Sequence, residues 1–143
     1  MLNDLQIQLC DIQGRLFELS GKKNIPSAAF VKTFMRSHVA KGLDSSYTRL
    51  QWMGEEYLLE EVKDAGKDKL KVPGEVYNNE VLYWMGYIYR YWHYYTGEES
   101  IKVLRQGPPQ TMKRNYAMIH TFARELAIED LKEIRKKSSS FFK

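Results

Sequence analysis

The chain has 143 residues, 43% of them hydrophobic and 13% aromatic, and a net charge of +4. That length suits one domain able to bury a core without disulfides or a metal, and the lone Cys10 reads as a buried small hydrophobe in a reducing compartment. The first residues, MLNDLQIQLCDIQ, lack the basic flank and apolar run of a signal peptide, and no stretch approaches about 18 apolar residues, so secretion and membrane spanning are disfavoured and a cytoplasmic location is expected.

Leu2, Leu5, Leu9, Ile12, Leu16 and Leu19 fall on one stripe of a helix that Gly21 should stop. The stripe has a coiled-coil shape but is interrupted at Gly14, which favours packing within the domain over a dimer seam. After Pro26, Ser27 is a suitable N-cap for a helix carrying Phe30, Val31, Phe34, Met35 and His38, closed by Gly42. Asp44 should cap a third helix in which Tyr47, Leu50, Gly54, Tyr57, Leu58 and Val62 face inward and Glu55, Glu56, Glu60 and Glu61 face elsewhere. Residues 66–74 (GKDKLKVPG) read as an exposed loop.

Residues 79–96 read NEVLYWMGYIYRYWHYYT, apolar on nearly every side, which predicts a central helix ended by Gly97. Strand propensity competes, but 18 residues exceed an ordinary strand. Thr96 and Glu99 have capping-box spacing for a short helix ending near Gly107, before the break at Pro108 and Pro109. One long or two shorter helices should fill 110–137, the last with Phe122, Leu126, Ala127, Leu131 and Ile134 on its apolar face. The expectation is an all-α, compact bundle of five or six helices around 79–96, one domain over 1–137 and a flexible basic tail over 138–143.

Charge is uneven: residues 1–101 hold 12 basic and 14 acidic side chains, and residues 102–143 hold 10 and 4. A basic end attracts nucleic acid or an acidic protein, although Arg135, Lys136 and Lys137 also suit a solvated terminus. Gln110, Lys113 and Arg114 are too few for a recognition helix, so DNA is disfavoured as a partner.

Arg90 and His93, at i and i+3 among large rings, form the most conspicuous polar pair. A buried charge needs a partner, which the acidic third helix could supply; the other reading is a pair facing a ligand. His38, His93 and His120 lie at no zinc-site spacing, and phosphate-loop, dinucleotide and nucleophile-elbow glycine motifs are missing, so no metal or cofactor is expected. Tyr116 and His120 stand one turn apart and could simply face the core together, with Thr121 capping the last helix.

Two resemblances add expectations. Arg114-Asn115-Tyr116-Ala117-Met118-Ile119-His120 resembles the Arg-x4-6-His signature of the HEPN superfamily, with Phe122 where one subfamily carries Tyr. The resemblance implies a helical dimer that cleaves RNA without a metal, Arg114 stabilising charge on phosphorus and His120 exchanging a proton. More widely, 29–32 (AFVK), 51–57 (QWMGEEY), 74–77 (GEVY), 83–87 (YWMGY), 91–93 (YWH) and 120–121 (HT) look like a group of small bacterial proteins associated with toxin–antitoxin-type loci. That resemblance implies a non-catalytic module, an antitoxin or accessory component, whose partner is another protein. Apart from that resemblance, Arg90, His93 and Tyr116 are the candidate ligand or interaction residues, since Arg and Tyr are favoured interface anchors. RNA is the partner only under the ribonuclease reading.

Overall fold

The computed structural model describes residues 2–45 and 49–141, with side chains through 138. Its helices are α1 (Asp4–Lys22), α2 (Ser27–Met35), α3 (His38–Asp44), α4 (Glu55–Gly66), α5 (Asn79–Thr96), α6 (Ser100–Gln106), α7 (Pro109–Ile119) and α8 (Arg124–Phe141), with two 3₁₀ turns, Arg49–Trp52 and Lys67–Leu70. The protein is all-α, with eight α-helices among the described residues rather than five or six. α8 runs past 137, where the domain was expected to end, and residues 142–143 of the expected tail lie outside the described residues.

The break between α2 and α3 has a local cause. Ser37 interrupts the expected second helix because its hydroxyl donates to the Phe34 carbonyl at 2.7 Å and accepts from Val39 N and Ala40 N, which starts α3. Residues 120–123 separate α7 from α8, which begins at Arg124, so Thr121 is not the cap of the last helix. Thr96 is the last residue of α5; its hydroxyl donates to Trp92 O and accepts from Glu98 N, and Glu99 takes the N-cap position of α6 without a side-chain bond, so the expected capping box does not form.

α1 opens with a reciprocal cap: Asn3 Oδ1 accepts from Gln6 N at 2.8 Å and Gln6 Oε1 from Asn3 N at 2.9 Å. It continues one residue beyond Gly21. Its buried face is Leu9, Cys10, Gln13, Gly14, Leu16, Phe17 and Ser20, rotated from the expected leucine stripe toward α5. Gly14 is where that face comes closest: a Cβ there would meet the Tyr83 ring at 2.8 Å, and one on Gly86 would run into the Gln13 carbonyl. The glycine that breaks the leucine pattern therefore permits the main helix contact of the fold. Gly21 lies against Leu82, and Gln13 against Gly86 and Arg90, so α1 and α5 run antiparallel.

Phe17 anchors the core in edge-to-face contact with Phe30, Phe34 and Tyr89, at centroid separations of 5.5, 5.4 and 6.0 Å. Ser27 is the first residue of α2 rather than its cap; its N–H donates to Glu75 O and its hydroxyl accepts from Tyr77 N, which straps the 71–78 segment onto the bundle. On α4, Leu58, Leu59 and Val62 are buried while Tyr57, and Gly54 at the N-cap, face out, contrary to expectation, and Tyr47 lies outside the described residues. The α8 face is Ala127, Ile128 and Leu131, with Leu126 turned outward and Phe122 in the turn before the helix. No helix among the described residues is long and apolar enough to cross a membrane.

Candidate functional site

α5 presents two chemically different faces. On the first, Arg90 is fully buried: Nε donates to Gln13 Oε1 at 2.7 Å, Nη1 to Asp44 Oδ1 at 2.6 Å and Nη2 to Ser100 Oγ at 3.1 Å. Asp44 also accepts from Ser100 N and Ser100 Oγ. The carboxylate partner of Arg90 is thus Asp44, the last residue of α3 rather than a helix cap, and Glu55, Glu56, Glu60 and Glu61 play no part in this network. His93 Nδ1 donates to Glu98 O at 2.7 Å and lies 3.6 Å from Asp44 Oδ1. Each nitrogen of the Arg90 guanidinium donates within the chain, so this face ties α1, α3, α5 and α6 together.

Glu98 extends the same polar region. Burial works against its carboxylate, but hydrogen bonds from Lys132, Trp92, Thr96 and Gln106 outweigh that and hold its pKa down at about 2. Lys132 Nζ and Trp92 Nε1 reach Oε1 at 2.7 and 3.0 Å, and Gln106 Nε2 reaches Oε2 at 3.0 Å, joining α5, α6 and α8.

The second face is aromatic and half-open. Tyr83, Tyr87 and Tyr91 form a ladder at successive turns, with centroids 6.0 and 6.5 Å apart. Several hydroxyls clasp neighbouring helices: Tyr83 donates to Asp11 on α1, Tyr91 to Glu125 and Tyr95 to Glu129 on α8. Burial and then the Glu125 hydrogen bond push the Tyr91 pKa up to about 12, so these phenols keep their protons at neutral pH.

At the N-terminal end of this ladder a cavity of about 360 Å³ opens between α1, α5, α7 and the start of α8. Tyr83, Trp84, Tyr87 and Ile88 of α5 line it together with Tyr116, His120 and Phe122. Glu18, Glu80 and Arg124 supply its charge. Tyr116 packs edge-on against Trp84 at 5.6 Å and stacks with the His120 ring at 4.2 Å and 13°. His120 is exposed at the end of α7 rather than in the core, and its Nδ1 donates to the Tyr116 carbonyl at 2.7 Å. That bond assigns the proton to Nδ1, so Nε2 of the neutral ring carries a free lone pair.

Of the residues singled out from sequence, Tyr116 and His120 meet in this cavity, Arg90 and His93 belong to the buried network, and Arg114 is exposed on α7 without lining the cavity. Six residues along a helix turn through about 600°, which places Arg114 and His120 on different sides of α7. Sequence reading missed Glu18, Glu80 and Arg124 because their convergence depends on the long-range docking of α1, α5 and α8. No group of three or more His, Cys, Asp or Glu side chains among the described residues could hold a metal. No family model, curated protein or solved structure matches the chain.

Proposed function

We propose that this protein is an interaction module that binds a protein partner through the aromatic cavity between α5 and α7. The observation that carries the reading is the half-open cluster of Trp84, Tyr87, Tyr116 and Phe122 around a cavity of about 360 Å³. Rings of this size bury much apolar area with few rotatable bonds to immobilise, which is why Trp and Tyr dominate binding hot spots. Rings wholly in the core would carry no such argument; these line open space. The volume lies near the low end of ligand pockets, roughly 300–1,000 Å³, so it suits one anchoring side chain of a partner better than a long segment.

The resemblance to proteins of toxin–antitoxin-type loci makes a toxin the expected partner and the cytoplasm the expected place of encounter. Native mass spectrometry of the protein recovered from its host's lysate tests this, with a heteromer of defined mass as the expected result. A homodimer without a second protein would move weight to the alternative.

That alternative is a HEPN-like, metal-independent ribonuclease using Arg114 and His120. It is favoured by the bare Nε2 of His120 at an open cavity, positioned to accept a proton. It requires a second copy of the chain to bring an arginine near that histidine. Under it, His120→Ala abolishes RNA cleavage while helical circular dichroism and thermal midpoint stay nearly unchanged.

A further inference from the structure

We infer that the group this cavity receives is the guanidinium of an arginine side chain on the partner protein. The inference rests on the binding reading above and supplies its chemistry. Its first support is the wall: the rings of Tyr83, Trp84, Tyr87, Tyr116 and Phe122 line one space, and the faces of aromatic rings carry the negative lobe of their quadrupole, which attracts cations.

The second support is charge complementarity. Glu18 and Glu80 contribute two carboxylates to the cavity, against the single guanidinium of Arg124. Among the described residues Glu18 has one ion pair, with the exposed Lys22 one turn along its own helix at 3.6 Å. Glu80 has no ion pair among the described residues. A cation entering here gains two carboxylates that the fold leaves largely uncommitted, whereas a phosphate would face them.

The third support is that the cavity already holds the proposed group on one of its rings. The guanidinium carbon of Arg124 stands 4.5 Å from the Tyr87 ring centroid, and Arg124 makes no ion pair among the described residues. A guanidinium on this wall is therefore held by Tyr87, through its ring and its hydroxyl, without a carboxylate. Arg124 is an internal competitor: it covers a ring face that an incoming arginine would use and adds a like charge beside it. The chemistry consequently predicts opposite effects from removing the two kinds of charged residue.

The test is a titration of the full chain with N-acetylarginine amide, following the Trp84 indole N–H by NMR. N-acetylcitrulline amide, of similar shape without the charge, and AMP, an anionic heteroaromatic, serve as competing probes. The arginine probe should shift Trp84 saturably and bind about fivefold more tightly than citrulline. Glu80→Gln should weaken it about threefold, and Arg124→Ala should strengthen it by a similar factor. Glu80 is exposed, so Glu80→Gln keeps the fold, and near-UV circular dichroism checks Arg124→Ala.

Equal binding of citrulline, tighter binding of AMP, no response of Trp84 to arginine, or weaker binding by Arg124→Ala would each overturn the assignment. A parallel recovery of Tyr116→Ala from host lysate separates two failures. If the arginine probe fails while Tyr116→Ala still loses the partner, only the guanidinium assignment falls. If Tyr116→Ala keeps the partner, the binding reading falls and the assignment falls with it.

Discussion

The Arg90 face and the Trp84 face of α5 are built from one continuous run of sequence, yet they do opposite things with their polar and aromatic groups. Around Arg90, each guanidinium nitrogen donates to an acceptor inside the protein, from Gln13, Asp44 and Ser100, and the site is closed. Around Trp84, the rings pack against one another but leave a cavity whose carboxylates are largely uncommitted. A satisfied, closed network stabilises and specifies the fold; an open one with spare polar capacity is available to a ligand. Substitutions on the first face should therefore register in stability, and substitutions on the second should register in binding.

The largest expected effect comes from breaking the closed face. Arg90→Leu leaves the largely buried Asp44 without its guanidinium, holding only the hydrogen bonds from Ser100, and should cost about 3 kcal/mol in denaturant unfolding, the low end of the penalty for removing one member of a buried pair. Gly86→Ala should follow at about 1–3 kcal/mol, because its methyl meets the Gln13 backbone, which cannot swing aside as a side chain could.

A smaller effect sharpens the comparison through pH. The Glu98 pKa is lowered from 4.5 to about 2 in the folded protein, so the stability it contributes is fully present above the unfolded value and is lost as pH falls toward 2. Glu98→Gln should be less stable than the wild type at pH 7, and the two midpoints should converge between pH 4.5 and 2 in thermal scans. The smallest effect has the opposite sign. The Tyr94 hydroxyl is a buried side-chain oxygen without a hydrogen-bond partner among the described residues, so Tyr94→Phe should raise stability by about 1 kcal/mol in the same unfolding assay.

The parts of this architecture legible in the sequence are those with local signals. α5 spans the 79–96 expected from its aromatic run, and Gly97 closes it in the left-handed conformation at φ 77°. That Arg90 needs an internal partner also follows from its neighbours. Which partner does not: Asp44 lies 46 positions away and carries a competing local reading as a helix cap. Gly14 shows the same limit, since a break in an apolar stripe and a close helix crossing look alike until α5 is placed against it. The stacking of Tyr116 with His120 is visible at one-turn spacing. The cavity beside them is not, because α1, α5 and α8 complete it from distant stretches of chain.

The most direct test of the account compares wild type with a Trp84→Ala/Tyr116→Ala double variant, each recovered from host lysate and weighed intact by native mass spectrometry. The account predicts a heteromer for wild type and its loss in the variant, with the variant's helical circular dichroism retained. A heteromer that survives the double substitution, or a wild type found without any protein partner, would contradict it.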